Sequence, residues 1–377
     1  MKKSPFKYGT TVSEAAFTNR EQEVKQLYNN LTQGINTTII SPRRWGKSSL
    51  VEKVVKDLAE HEKNTKIVLI DLFSVSSQEE FLELFAKEVI KASTTKWQDW
   101  IESGKTFFKQ LMPRFTMGID PQTDFSVSFD WKEIRQHKNE ILNLPETIAE
   151  KKGLRYVICL DEFQNLANYP EYEEMEKQLR AIWQRQKHCC YCLYGSKRHM
   201  MTDIFNNPSK PFYKFGDIVH LPKISTDNWV RFIHEGFSAT GKSIKPDAAE
   251  MIASAMKNHS WYVQQLAHYT WNRTEKTASS QEVENAIEEL MQANLPFYQK
   301  EVESISATQL NLLKAIAQGE TQLTSAKVMQ KYRIGTPRNV SKNKVVLMNA
   351  HMIQETDTGY EFLDPAFEKW FSNNFLN

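Results

Sequence analysis

Cysteine is scarce in this chain: four residues in 377, at Cys159, Cys189, Cys190 and Cys192. Three crowd into one apolar run, too close for an ordinary bridge between adjacent positions, and the paired C-x-x-C spacing of a zinc site is missing. Buried, reduced thiols are the expectation. No run approaches the ~18 apolar residues of a membrane span. Met1-Lys2-Lys3-Ser4-Pro5-Phe6 has no apolar stretch behind its lysines, so no secretory signal is expected there. These absences predict a cytoplasmic protein that makes no membrane contact. An excess of one charge is also lacking. Lys and Arg number 48 against 46 Asp and Glu, a net +2, so any basic surface must be local. What is present, 40% hydrophobic and 25% charged residues, suits a globular protein with room for two or three domains.

The stretch richest in chemistry is Ser41-Pro42-Arg43-Arg44-Trp45-Gly46-Lys47-Ser48-Ser49. It follows the β-branched run Thr37-Thr38-Ile39-Ile40 and precedes helical apolar spacing at Leu50, Val51, Val54, Val55 and Leu58. Strand, loop, Gly-Lys-Ser and helix is the context of a phosphate-binding loop. Gly46 lets the backbone approach a phosphate without a Cβ in the way, and loop N–H groups and the helix N-terminus aim positive charge at one point. Lys47 supplies a mobile ammonium, and the Ser48 hydroxyl suits Mg²⁺. The usual pattern has glycine where this chain has Ser41. If that position needs positive φ, serine costs roughly 1–2 kcal/mol.

Upstream, a helix is expected through Val24, Leu27, Tyr28 and Leu31, capped by Asn19 and ended by Gly34. Lys66 to Phe73 reads as a strand buried on both faces, and Ser76 to Lys91 as a helix. Trp97, Trp100, Phe107, Phe108 and Leu111 suggest another helix, and the alternation from Pro113 to Asp130 an inserted hairpin.

A second informative run is Arg155-Tyr156-Val157-Ile158-Cys159-Leu160-Asp161-Glu162. It brings two carboxylates to the C-terminal edge of a strand, where doubly wound sheets bind ligands. Asp161 would hold Mg²⁺ opposite Ser48, and Glu162 would take a proton from a water attacking a γ-phosphate. A bare strand end turning into solvent would also account for two acids. A further strand, Cys189 to Tyr194, ends at Gly195-Ser196-Lys197-Arg198. Ser196 could orient the water and Arg198 offset developing charge, or both could be surface residues of the next helix. Phe215 to Leu221 reads as a fifth strand.

From Asp227 onward the pattern is helical: Trp229, Phe232, Ile233 and Phe237, then Ala248, Ile252, Ala255 and Met256, then Trp261 to Trp271. Three short helices follow, beginning near Ser306, Ser325 and Thr336-Pro337, and then a tight turn at Glu355 to Tyr360. This is the pattern of a winged helix-turn-helix. Its third helix carries Arg338, Lys342 and Lys344, which could meet phosphates or base edges. Its wing carries Glu355, Asp357 and Glu361, which DNA would repel, so contact with a protein is the preferred reading.

With these motifs assembled, the chain resembles the archaeal-type AAA-like ATPases, P-loop proteins of the STAND/AAA+ group. Phe17-Thr18-Asn19-Arg20-Glu21 resembles their F-x-x-R-E motif, and Ser41 to Leu50 their arginine-rich Walker A loop. Leu160-Asp161-Glu162-Phe163-Gln164 is similar to Walker B, and Tyr194-Gly195-Ser196 to the sensor strand. Asn258-His259-Ser260-Trp261-Tyr262-Val263-Gln264 is similar to the G-x-P-x-x-V-Q segment, with Asn258 for glycine and Ser260 for proline. The resemblance implies an α/β fold: a P-loop NTPase core with a five-stranded parallel sheet and the Walker B strand beside the P-loop strand. A helical lid and a winged helix-turn-helix domain would follow. The expected domains are 1–225 for the core (with the insertion at about 94–130), 226–304 for the lid and 305–377 for the winged helix. Arg20 joins Ser41 to Ser49 as a nucleotide-binding candidate.

The function expected is slow, Mg²⁺-dependent ATP hydrolysis by a switch, in which ATP or ADP sets the arrangement of lid and winged helix. Glu162, Lys47 and Ser196 would be catalytic, and Ser48 and Asp161 would hold the metal. The alternative is an ATP-dependent DNA-binding regulator acting through the winged helix. A small-molecule kinase ranks lower, since it has less use for Glu162, and a scaffold that no longer hydrolyses is the fourth reading.

Overall fold

The computed structural model describes residues 3–10, 19–93, 114–117, 125–128, 131–356 and 358–376. They divide into two compact units, Arg20–Pro222 and Met1–Asn19 with Lys223–Asn377.

The first unit is an α/β core. Its described elements are α1 (Glu21–Thr32), β1 (Thr37–Ile40), α2 (Lys47–His61), β2 (Thr65–Asp71), α3 (Gln78–Ser93), β3 (Arg114–Met117) and β4 (Phe125–Ser128). Then come α4 (Trp131–Leu142), α5 (Leu144–Lys152), β5 (Arg155–Asp161), a 3-10 segment (Phe163–Asn168), α6 (Tyr172–Trp183), β6 (Cys189–Gly195), α7 (Arg198–Asn206) and β7 (Asp217–His220). Five strands form a parallel sheet in the order β2-β5-β6-β1-β7. Its middle is apolar and covered: every residue of β1 and β6 is buried, as parallel strands with helices on both faces require. All four cysteines are buried free thiols.

Three expectations need correction. The Walker B strand, β5, does not lie beside the P-loop strand, β1; β6 pairs with both and separates them. Strand order depends on pairings between distant segments, and the motifs fix only where each strand ends. Second, β2 is not buried on both faces. It is a rim strand with a partner on one side, and Leu69 is 45% exposed. Third, Arg20 and not Asn19 is the N-cap of α1, with no side-chain cap bond, while Asn19 is left-handed at φ 52°. Gly34 (φ 76°) does terminate α1. The inserted hairpin is present as the antiparallel pair β3–β4. Trp97 to Leu111, read as a helix, lies outside the described residues, as do Phe17 and Thr18.

The second unit holds α8 (Thr226–Ala239), β8 (Ser243–Ile244), α9 (Pro246–Ala255), α10 (Ser260–Arg273), β9 (Thr277–Ala278) and the long α11 (Ser280–Glu303). It continues through α12 (Ala307–Ala317), α13 (Ala326–Tyr332), α14 (Pro337–Asn349), β10 (Ile353–Thr356), β11 (Gly359–Phe362) and α15 (Pro365–Phe375). Side-chain caps set most of these starts: Ser225, Ser279, Ser306, Ser325, Thr336 and Asp364 each accept a backbone N–H of the first turn. Asn258 takes φ 58°, the left-handed conformation expected of the residue standing in for glycine, and Ser260 opens α10. Residues 3–10, assigned to the core from sequence, pack in this unit. Phe6, 2% exposed, contacts Phe232 and Phe237, and Lys7 N–H donates to Gln264 Oε1 at 3.0 Å.

Candidate nucleotide site

The loop between β1 and α2 meets its conformational demands at two residues. Gly46 has φ 91° and Arg44 has φ 66°; Ser41 is not in the positive-φ region. The strain considered for Ser41 is therefore absent. Its side chain is buried, and its Oγ donates to the Pro42 carbonyl at 3.2 Å. At Gly46, nothing lies within 4 Å of where a Cβ would stand. Glycine is needed there for its φ, and the space over the loop is open. Helix α2 starts at Lys47 with no side-chain cap at Gly46, and the first N–H groups of a helix have no acceptor within the helix itself. Arg43 and Arg44 are exposed. Arg20 is buried, with Nη1 on Glu23 Oε1 at 2.9 Å and Nη2 on the Trp45 carbonyl at 3.4 Å, which ties the start of α1 to the loop.

Lys47 is buried, and its Nζ donates to the Pro42 carbonyl at 3.4 Å. Burial pulls its pKa down, and the charges of Glu162 and Asp161 oppose that fall. Ser48 Oγ donates to Asp161 Oδ2 at 2.9 Å. Burial raises the Asp161 pKa, against the Ser48 hydrogen bond and the Lys47 charge. The next residue behaves differently. Glu162 turns left-handed (φ 51°) as it leaves β5. Burial pushes its carboxyl up, yet hydrogen bonds from Gln164 and Ser196 and the Lys47 charge outweigh this, and its pKa is lowered. Ser196 Oγ reaches Glu162 Oε2 at 2.9 Å, and Ser196 N–H reaches the same oxygen at 3.3 Å.

The ends of β1, β5 and β6 thus bring Lys47, Ser48, Asp161, Glu162 and Ser196 together. Arg198 is exposed at the start of α7, where its charge, after burial, helps lower the pKa of His220. Gln164 is a contact that sequence reasoning carried only as a letter of the Walker B match. Its side chain is fully buried, and its Nε2 donates to Glu162 Oε2 at 2.5 Å. The local signal is its place two residues after Glu162, inside a tight 3-10 turn.

A glycine-and-lysine loop after a central parallel strand, with a Ser–Asp pair behind it, defines a P-loop nucleotide-binding fold. The chain belongs to the family described as "ATPase domain predominantly from Archaea", which matches residues 17–266. A probable winged helix domain matches residues 296–373. No protein in the curated comparison matches the chain. Among solved structures it is similar to a Walker-type ATPase of Pyrococcus abyssi, at 16% identity, 98% coverage of each chain and a TM-score of 0.65. It is similar to the ORC2 protein of Aeropyrum pernix in ADPNP–ADP complexes, at 15% identity, 98% and 96% coverage and a TM-score of 0.58. The ORC1 protein of the same organism, in complex with DNA, scores 0.50 at 12% identity, with 97% and 94% coverage. At these identities the likeness is one of fold.

Proposed function

We propose that this protein is a slow ATPase of the STAND/AAA+ type, acting in the cytoplasm, whose bound nucleotide sets the arrangement of a lid (226–304) and a winged helix (305–377) relative to the α/β core (20–222). The observation carrying this reading is the convergence of Lys47, the Ser48–Asp161 pair and Glu162 at one edge of the sheet. The loop from Ser41 to Ser49 would cradle the phosphates with backbone N–H groups, with Arg20 bracing its Trp45 carbonyl. The Ser48 hydroxyl and Asp161 carboxylate are hard oxygen donors that fit Mg²⁺. That ion would supply charge neutralisation on the triphosphate. Lys47 places an ammonium against the β- and γ-phosphates. Glu162, kept ionised by its hydrogen bonds, takes the proton of the attacking water as the bond to ADP breaks. Ser196 holds Glu162 and lies where it could orient that water.

Two measurements test this. Phosphate release from ATP by the full chain should require Mg²⁺ and stop with EDTA. Hydrogen exchange over 226–377 should differ between ADP and a non-hydrolysable ATP analogue. Identical exchange would remove the switch and leave an ATPase.

A second reading is ATP-dependent DNA binding, supported by one feature of the winged helix. Between Glu320 and Glu355 the chain carries Lys327, Lys331, Arg333, Arg338, Lys342 and Lys344 and no acidic residue. Arg338 and Lys342 are exposed on α14. The acidic wing opposes it, and Glu361 is engaged by Lys223 at 3.2 Å. Binding of a DNA duplex that weakens steeply between about 50 and 200 mM salt would support this reading, and no binding at low salt would end it.

A further inference from the structure

Three hydrogen-bond donors converge on a single oxygen of Glu162. Gln164 Nε2, Ser196 Oγ and Ser196 N–H all reach Oε2. Two come from the end of β6, and the third from the turn that follows Glu162 itself. The orientation of the Gln164 amide is settled by its partner, since only the nitrogen can donate to a carboxylate. Its other end is unusual: Gln164 Oε1 is buried and has no hydrogen-bond partner. That oxygen lies against Gly195, the last residue of β6, where an added Cβ would come within 1.8 Å of it. A buried, half-satisfied amide is costly to keep. A leucine or methionine would fill the same space without that cost, but could not donate to Glu162.

We propose that Gln164 is a positioning residue for ATP hydrolysis: it pins Glu162 Oε2, so that Oε1 is the oxygen presented to the attacking water, and Gly195 is glycine to admit the amide. The inference rests on the assignment of Glu162 as the base. A glutamate carboxylate sits at the end of three rotatable torsions. With one oxygen fixed from two sides, the other is held in place before nucleotide arrives, and such preorganisation is where positioning lowers a barrier. Because Ser196 and Gln164 share one acceptor, a movement at the end of β6 changes how Glu162 is held. The base and the sensor strand are therefore coupled through a single atom.

The test compares Gln164→Leu and Gln164→Met with wild type and Glu162→Gln, using the full chain. Expected are a fall in kcat of roughly 10–100-fold, with KM for ATP and the affinity for ADP within about twofold. In the Glu162→Gln background, Gln164→Leu should change kcat little, since the two act as one unit. Wild-type turnover in both Gln164 variants would overturn the inference, as would losses fully additive with Glu162→Gln. If both variants misfold, Gln164→Ala, which removes the donor without introducing a charge, should show the same kcat loss, and normal turnover would again refute the proposal. A silent wild type or an active Glu162→Gln would instead bring down the assignment of the base, and this proposal with it.

Discussion

Ser48, in the first turn of α2, donates its hydroxyl hydrogen to Asp161 at the end of β5 across 2.9 Å, although a whole strand lies between β1 and β5. The pair joins the phosphate loop to the acidic strand end. Asp161→Asn should leave nucleotide bound while abolishing the dependence of affinity on Mg²⁺. Titration calorimetry with ATP, with and without the ion, reads this directly.

Lys47→Ala removes a buried cation that Glu162 and Asp161 both help to hold. ATP affinity should fall on the order of 100-fold or more, the scale of a lost charge-assisted contact in a desolvated site. A fluorescent nucleotide competed with ATP would measure the loss.

Glu162→Gln should bind ATP as the parent does and turn it over ~10²-fold more slowly or worse, as for a missing general base. Single-turnover phosphate release separates the two effects. Normal hydrolysis by this variant would reassign the base.

Glu146 governs acid stability at the opposite end of the sheet. It accepts from Lys187 N–H, His188 N–H and His188 Nδ1, each at 2.9 Å, and so fixes the turn into β6. Burial alone would raise its pKa, but these bonds outweigh it and lower the pKa from the ordinary 4.5. The stabilisation is therefore complete above that ordinary value and is lost as pH falls through the folded one. Glu146→Ala should cost about 3 kcal/mol at neutral pH and progressively less as pH falls below the ordinary 4.5. Urea unfolding at pH 7 and pH 3 tests the sign.

Gly195→Ala would drive a methyl into Gln164 Oε1 and to 3.0 Å from Met201 Sδ. A loss of about 1–3 kcal/mol is expected, and pairing it with Gln164→Ala should recover part of that loss. Thermal denaturation of the two single variants and the double variant gives the coupling.

The phosphate loop, both carboxylates and Ser196 were legible because each sits in a short segment whose chemistry does not depend on distant contacts. The order of the strands was not legible. Nothing local in Cys189–Gly195 says that it slips between β1 and β5. The rim position of β2 was hidden because an apolar run reads alike at the edge and in the middle. Ser41 looked strained only because its φ was unknown, and the left-handed turn fell on Arg44 instead. Asn258 was the reverse case, with a residue type suited to φ above zero and a structure that uses it. Over 280–303 the sequence reading names no particular helix within the helical lid, although Ser279 and Glu282 form a capping box that starts one of 24 residues. Gln164 was only half legible: its place two residues after Glu162 is local, but Gly195 comes against it only once the sheet is assembled.

The burial of Phe6 among Phe232 and Phe237 makes the α/β core an insertion in chain topology, bounded by residues 19 and 223. Trimming the first ten residues would accordingly damage the carboxyl-terminal half and spare the ATPase fold. A fragment cut at Arg20 and Pro222 should keep its own hydrophobic interior whole, while the complementary piece needs its distant leader supplied back to close over the hole that Phe6 would leave.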